Sequence, residues 1–318
     1  MAVQVSEHQS KDVDDQAKAL NGWHQSYEQL GAGRFSGFAR QIETPDGVLL
    51  REITNRSLRE HISPPKDHIA IALPLRVDPG AVFAGRPLEA NSLVFLNSEQ
   101  EYDLVSTGML DLVGLCVSRE MVARSLPPAK LAWLDKAERE RSMVLNADIA
   151  QDVRSLLQVL NQQSVDPEAL GGNDSVGRAL SHTVAMAMSS DGIELTAVVP
   201  RRADTRMKVV NRAVDFMRAN LHNDIGVAEI CAAACTSRRS LQYCFEEFLR
   251  CTPQAYLRAL RLNEARRTLK LSADQPITSV ATTLGFSSAS HFTRHYRLMF
   301  EELPSETLKF NSCMPGRL

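Results

Sequence analysis

The stretch from Val227 to Leu308 writes one supersecondary pattern twice, and such a repeat leaves few folds open to the chain that carries it. The first copy runs Val227-Ala-Glu-Ile-Cys-Ala-Ala-Ala-Cys235, then Thr236-Ser-Arg-Arg-Ser-Leu-Gln-Tyr-Cys-Phe-Glu-Glu-Phe-Leu249. The second runs Ile277-Thr-Ser-Val-Ala-Thr-Thr-Leu-Gly-Phe286, then Ser287-Ser-Ala-Ser-His-Phe-Thr-Arg-His-Tyr-Arg-Leu-Met-Phe300. A shift of 51 sets Leu241 on Phe292, Phe245 on Tyr296, Leu249 on Phe300 and Pro253 on Pro304. Each copy reads as a short helix of small residues, a tight turn, and a longer helix with apolar positions at i, i+4 and i+8. That is the pattern of a helix-turn-helix, so residues 207–312 are predicted to form an all-α domain with two such units.

A helix that reads DNA buries one face in its own domain and offers the other to the major groove. In the first copy Leu241, Phe245, Phe248 and Leu249 form the inward set. Arg238, Arg239, Gln242 and Tyr243 are left at the outer start, with Glu246 one turn on. In the second copy Phe292, Tyr296 and Phe300 are inward, leaving Ser288, Ser290, His291, Thr293, Arg294 and Arg297. Arg matches the O6 and N7 acceptors of guanine, and Gln matches N6 and N7 of adenine. Any one of these residues alone would pass for a solvated surface side chain; two helices with hydrogen-bonding outer starts point to DNA. Two readers on one chain should take adjacent major-groove segments, roughly 34 Å apart. Arg258, Arg261, Arg266, Arg267 and Lys270, in the predicted helix between the copies, are candidates for phosphate contacts or for internal ion pairs.

Charge follows the same division. Residues 201–318 hold 18 Lys/Arg against 11 Asp/Glu, a net of +7, so the remaining 36−18 against 38−11 leave residues 1–200 at −9. A basic half that coincides with the repeat suits a module that meets a polyanion. The six cysteines are Cys116, Cys231, Cys235, Cys244, Cys251 and Cys313. They have no disulfide-scaffold spacing, and Cys231 and Cys235 read as small residues packed in an Ala-rich helix rather than as half a metal site. The polar, acidic start of the chain lacks a signal-peptide core, and no apolar run approaches the ~20 residues that cross a bilayer. A cytoplasmic protein with no membrane partner is expected.

The fold class expected is α+β. Residues 1–190 form a sensor or dimerisation domain, β-rich (a cupin-like barrel or a sandwich) and then helical, and 191–206 form a linker. Residues 1–16 read as polar and frayed, and Leu20 to Leu30 as a short helix. Strands are predicted over 35–43, 48–54, 68–76, 81–84, 92–97, 102–106 and 112–117, several parted by turn chemistry such as Pro45-Asp-Gly47 and Asp78-Pro-Gly80. Ser118 is a candidate N-cap of a helix that Pro127-Pro128 ends. The spans 148–163 and 175–189 each line up apolar residues on one helical face, as an antiparallel pair. Their stripes serve either as domain core or as a dimer seam, which leaves a homodimer open.

At the repeat, the sequence resembles the AraC/XylS family of bacterial transcription regulators. The residues that carry the likeness are Ser237-Arg-Arg-Ser-Leu-Gln with Phe245, and Tyr256-Leu-Arg-Ala-Leu-Arg-Leu-Asn-Glu-Ala-Arg-Arg267. In the second half they are Ala281-x3-Gly285-Phe-Ser-Ser-x-Ser-His-Phe-Thr-Arg294 and Phe300-Glu-Glu-Leu-Pro-Ser305. The resemblance covers about a third of the chain. It implies a seven-helix DNA-binding domain, promoter DNA and RNA polymerase as partners, and usually activation. Carried over by position, it places Arg239, Gln242 and Tyr243 at base-reading positions of the first unit, and Ser290, His291 and Arg294 at those of the second. The N-terminal part is similar to the regulators of ethanolamine-utilisation operons through Gly22-Trp-His-Gln-Ser-Tyr-Glu-Gln-Leu30, Gly33-Arg-Phe-Ser-Gly37 and Leu50-Arg-Glu-Ile-Thr-Asn-Arg-Ser-Leu-Arg59. That likeness brings no effector-contact motif with it.

The expectation is therefore a sequence-specific transcriptional regulator, an activator under the control of a small-molecule effector in the N-terminal domain, whose contact residues stay unknown. One alternative is a ligand-independent activator whose N-terminal domain only assembles the oligomer. The other, from a different class, is a cupin-like metalloenzyme fused to a DNA-binding domain. It is disfavoured because His61 and His68 come without the His-x-His and carboxylate cluster such a site needs. No catalytic residue, metal ligand or cofactor is predicted, and the chain is not read as an enzyme.

Overall fold

The computed structural model describes residues 4–44, 47–98, 100–126, 128, 143–144, 151, 153–155, 201–271 and 275–312. These fall in two compact units. The first comprises residues 1–27, 36–55 and 60–199; the second comprises 28–35, 56–59 and 200–318.

The first unit carries most of the strands: β1 (Gln4–Ser10), β2 (His24–Gln29), β3 (Gly37–Thr44), β4 (Gly47–Thr54), β5 (Leu58–Ser63), β6 (His68–Val77), β7 (Val82–Phe83), β8 (Arg86–Pro87), β9 (Leu93–Asn97), β10 (Tyr102–Val105), β11 (Leu110–Ser118) and β12 (Met143–Val144). One sheet runs β1-β3-β4-β11-β6-β9-β12 and the other β2-β5-β10-β7-β8. These are two separate sheets, not one closed barrel. Each strand predicted from turn chemistry and alternation is present within a residue or two. The frayed stretch expected over 1–16 is instead strand β1, paired with β3 from Gln4 opposite Glu43 to Ser10 opposite Gly37, followed by helix α1 (Val13–Gln16). Asp12 caps that helix through its Oδ1, which accepts the amide of Asp14 at 3.0 Å. The helix expected over 20–30 is strand β2. Its polar sequence hides a period of two, with Gln25 and Tyr27 on one face and Ser26 and Glu28 on the other. Helix α2 (Arg119–Ser125) follows β11 after Ser118, as expected, but the Ser118 side chain makes no capping bond. The predicted helix pair lies outside the described residues, apart from Gln151 and residues 153–155, which are helical.

The second unit holds seven helices among the described residues: α3 (Arg201–Ala219), α4 (Val227–Ala233), α5 (Arg238–Leu249), α6 (Pro253–Leu271), α7 (Ile277–Thr283), α8 (Ala289–Phe300) and α9 (Pro304–Ser312). Helix α3 begins at Arg201, inside the stretch read as linker. Helix α6 is buried on most of its circumference through Tyr256, Leu257, Leu260, Leu262, Ala265 and Leu269. It starts as Thr252 and Pro253 dictate: the hydroxyl accepts the Ala255 amide at 3.1 Å, and Pro at the first helical position has no N–H to leave unpaired. Ala259, Leu262, Ala265 and Leu269 of α6 share a core with Phe292, Tyr296 and Phe300 of α8. Three aromatic rings of that core follow one another along α8, Phe292 tilted against Tyr296 at 5.5 Å and Tyr296 edge-on to Phe300 at 4.8 Å between centroids.

Residues 28–35 and 56–59, read from sequence as sensor domain, are integral to this helical unit. Glu28, 6% exposed, accepts from Arg218 at 2.8 Å and from the Tyr256 hydroxyl at 2.7 Å. The same hydroxyl accepts from Arg59 at 2.6 Å, so buried acid, phenol and guanidinium form one satisfied chain. Gln29 exchanges backbone bonds with the Asn263 amide, donating to Oδ1 at 3.1 Å and accepting from Nδ2 at 2.9 Å. Its own side-chain amide reaches the Met299 carbonyl at 2.9 Å. Leu30 packs against the α6/α8 core. Burial pushes the Tyr256 phenol up, so it stays a neutral donor to Glu28 at any physiological pH.

Candidate nucleic-acid interface

The two predicted readers are α5 and α8, each twelve residues long and in step by the shift of 51 read from sequence. Their ends match as well. Ser237 caps α5 by accepting the Ser240 amide at 3.2 Å, and Ser288 caps α8 by accepting the His291 amide at 3.1 Å. Both close on a left-handed residue, Arg250 at φ 56° and Glu301 at φ 53°. The helices before them, α4 and α7, end alike, with the Thr236 amide bonded to the Cys231 carbonyl and the Phe286 amide to the Ala281 carbonyl, each at 3.0 Å. This six-to-one closure is a Schellman motif, and its left-handed position is held by Cys235 at φ 50° and by Gly285 at φ 71°.

The inward faces are as expected. Leu241, Phe245, Phe248 and Leu249 are buried on α5, and Phe292, Tyr296, Met299 and Phe300 on α8. The outer starts divide into three kinds. Arg238, Arg239 and Arg294 are exposed, with no hydrogen-bond or ion-pair partner among the described residues. Gln242 and Tyr243 are engaged along the surface: Gln242 donates to Glu246 at 2.5 Å, and Tyr243, 54% exposed, lies under the Arg206 guanidinium at 5.5 Å. Arg206 also pairs with Glu247 at 2.9 Å. Ser288 is spent on its cap, while Ser290 is exposed and Thr293 half-buried. His291 touches His295, ring nitrogen to ring nitrogen at 2.9 Å, so one of the two carries the shared proton. Desolvation first, then the neighbouring Arg258, His291 and Arg294, lower the pKa of His295. His295 is a residue the sequence reading passed over; its i, i+4 spacing from His291 was the available signal.

The phosphate candidates separate. Arg261 is 9% exposed and donates to the carbonyls of Asn223 at 2.6 Å and Gly285 at 3.5 Å. Arg266 pairs with Glu302 at 3.2 Å and lies over the Phe300 ring at 4.5 Å. Arg267 faces Glu264 at 3.7 Å. These three are structural. Arg258, exposed on α6 and felt electrostatically at His295, stays available beside the second reader. Cys235 is exposed in its turn rather than packed, and Cys231 is half-buried. Among the described residues no three His, Cys, Asp or Glu side chains gather as a metal site. His61 pairs with Asp103 at 2.9 Å, and His68 meets the Lys66 carbonyl at 2.7 Å. Among them, too, no helix is long and apolar enough to cross a membrane.

A family model described as a helix-turn-helix domain matches residues 230–309, which spans α4 through α9 almost completely. The HTH-type transcriptional regulator ArgR of Pseudomonas aeruginosa is 36% identical over 97 residues, covering 30% of this chain and 29% of that protein. The XylDLEGF operon transcriptional activator 2 of Pseudomonas putida is 34% identical over 110 residues, 33% of this chain and 70% of that protein. A solved AraC-type DNA-binding transcriptional regulator from Chromobacterium violaceum is 32% identical and covers 36% of this chain and 99% of its own, with a TM-score of 0.33. The match thus spans about three tenths of the length of the first of these relatives.

Proposed function

We infer that this chain, which belongs to the AraC family of helix-turn-helix transcriptional regulators, binds promoter DNA sequence-specifically through α5 and α8 and regulates transcription there. One observation carries the inference. Two helices with matching caps and matching turns leave Arg238, Arg239 and Arg294 exposed on their outer starts, without a partner among the described residues. An unpaired guanidinium at that position of a helix-turn-helix is a ready donor to guanine O6 and N7. Arg238 and Arg239 serve the first half-segment, with Gln242 and Tyr243 on the next turn. Arg294 serves the second, with Ser290, His291 and Thr293 around it. Ser288 holds the helix start and takes no part in reading.

The wider proposal is an activator that contacts RNA polymerase in the cytoplasm, with an effector bound in the first unit and assembly as a homodimer. Within the family we group it with regulators of ethanolamine utilisation. The residues that support this grouping include both segments, 28–35 and 56–59, that belong to the helical unit. The test is selection of binding fragments from a random DNA pool, then titration of the winner against a scrambled duplex. A selective site of about two adjacent major-groove segments supports the reading, and equal binding to both duplexes sinks it.

A further inference from the structure

Both sheets of the first unit line a pocket with about 550 Å³ of empty space, the open solvent at its mouth included. The period of two along the strands builds it: Trp23 and Gln25, Leu50 and Glu52, Glu60 and Ile62 each sit two apart and face the same way. Most of the wall is apolar, and among the described residues no Lys, Arg or His lines it. Its polar atoms are unbalanced. Glu60 is 1% exposed, and among the described residues its Oε1 has no hydrogen-bond partner, nor has Oε1 of Gln25. Across the cavity Glu52 is held by Gln16 and the Tyr27 hydroxyl, each at 2.8 Å, so those donors are already spent. A buried acceptor without a donor is costly, and a native fold keeps one mainly where something else supplies the donor.

We propose that this cavity is a ligand site for a compact, largely apolar molecule carrying a protonated amine, with Glu60 as its counter-ion. An ammonium brings three donors and no acceptor, which is what Glu60 and Gln25 lack. A carboxylate or phosphate would meet two buried acids, and a polyol would leave hydroxyls against Phe83, Leu96 and Leu104. Burial, and then the neighbouring Glu52, raise the Glu60 pKa well above the usual carboxylate range, which favours the protonated acid in the empty protein. The arriving ammonium displaces that proton to solvent, and affinity rises with pH until Glu60 ionises unaided. The proposal takes its biological purpose from the regulator reading, but its chemistry stands on the cavity alone.

The experiment is isothermal titration calorimetry on the full chain without DNA, with hexylammonium, hexanol, hexanoate and ethanolamine as probes. Hexylammonium is expected to bind at one site with release of a proton. Hexanol should bind at least about tenfold more weakly for want of a charge-assisted bond, ethanolamine weakly for want of an apolar body, and hexanoate not at all. Glu60→Gln should weaken the amine by about tenfold or more, abolish the proton release and leave hexanol unchanged. Ala72→Leu, which fills the wall, should lose amine and alcohol together while a normal thermal transition shows the fold intact. Hexanoate binding as well as the amine, amine binding indifferent to Glu60→Gln, or no heat from any probe overturns the proposal. DNA selection by the same preparation is scored separately. A protein that selects DNA but ignores amines removes this inference only, and one that binds amines but selects no DNA removes the regulator reading only.

Discussion

In the first helix-turn-helix unit the left-handed turn position is Cys235 at φ 50°, exposed; in the second it is Gly285 at φ 71°. A Cβ on Gly285 would lie 2.9 Å from the Arg261 guanidinium. That guanidinium donates to the Gly285 carbonyl and to Asn223 in the loop that leads into α4, so one buried arginine ties both units to α6. The two units thus share helix lengths, caps and backbone path but differ in what crowds the turn. At Gly285 a side chain would meet both the left-handed backbone and the Arg261 guanidinium, whereas Cys235 carries the same left-handed backbone while exposed. The same contrast holds along the readers. The second has a continuous row of buried aromatic rings in tilted and edge-on contact and a histidine pair beside Arg294. The first buries two rings, Phe245 and Phe248, and carries two adjacent arginines with no partner among the described residues. Equal skeletons with unequal side chains should read an asymmetric site, with stability vested more heavily in the second unit.

The largest expected effect tests where stability lies. Phe292→Ala removes a fully buried ring that packs on Phe286 at 5.1 Å and on Tyr296, and should cost about 3–5 kcal/mol. Leu241→Ala, its partner by the repeat, should cost about 2–5 kcal/mol and lose less than the ring. Urea denaturation of both variants decides it, and equal or inverted losses would end the claim that the second unit is the sturdier.

Reading comes next in size. Arg239→Ala and Arg294→Ala should each lose about 1–3 kcal/mol on the selected site, and each should relax preference at a different base pair, one per half-segment. Competition binding against single-base variants measures this. Loss of preference at the same position from both would mean that the two helices do not divide the site. Arg261→Ala should instead lower the thermal transition, because its partners are carbonyls within the domain, and any DNA effect should follow unfolding.

Smaller still is the exchange of turn residues. Cys235→Gly relieves a left-handed L-residue with nothing lost from the core, and should stabilise by up to about 1 kcal/mol. Gly285→Ala should destabilise by at least as much, since it adds both a left-handed penalty and the contact with Arg261. Thermal melts of the pair give the signs. The same sign from both would show that backbone strain at the two turns is not what separates the units.

The repeat, its boundaries and its inward faces were legible because they rest on local chemistry: periodic apolar residues, Ser caps at 237 and 288, prolines at 253 and 304. Strands bounded by Pro and Gly turns were legible for the same reason. Strand β2 was not, because its inward residues are polar rather than an apolar alternation: Gln25 faces the pocket and Tyr27 bonds Glu52, 25 residues on. Nor could local pattern reveal that Glu28 and Arg59 close on Tyr256, some two hundred residues away, inside the helical unit. Among the site residues, the sequence named the unpartnered arginines correctly as surface groups. It could not tell that Ser288 was occupied as a cap, or that Arg261 and Arg266 were turned inward.

The finest test of the contrast is acid. His295 lies on α8, and its repeat partner on α5 is the buried Cys244, so the second unit has a titrating group near neutrality where the first has none. Desolvation and the neighbouring Arg258, His291 and Arg294 lower the folded-state pKa of His295 below its ordinary value. The unfolded chain therefore binds the proton more readily, and stability falls as pH drops from the usual histidine range through the lowered folded value. Above that range both states are neutral and the term vanishes. His295→Gln keeps a hydrogen-bonding group for His291 but cannot titrate, so it should flatten this part of the pH profile without moving the plateau at higher pH. Melting wild type and variant from pH 8 down to pH 5 measures the difference. Parallel curves would mean that the histidine pair is only a surface contact and that the second unit's distinction rests on its rings and its turn.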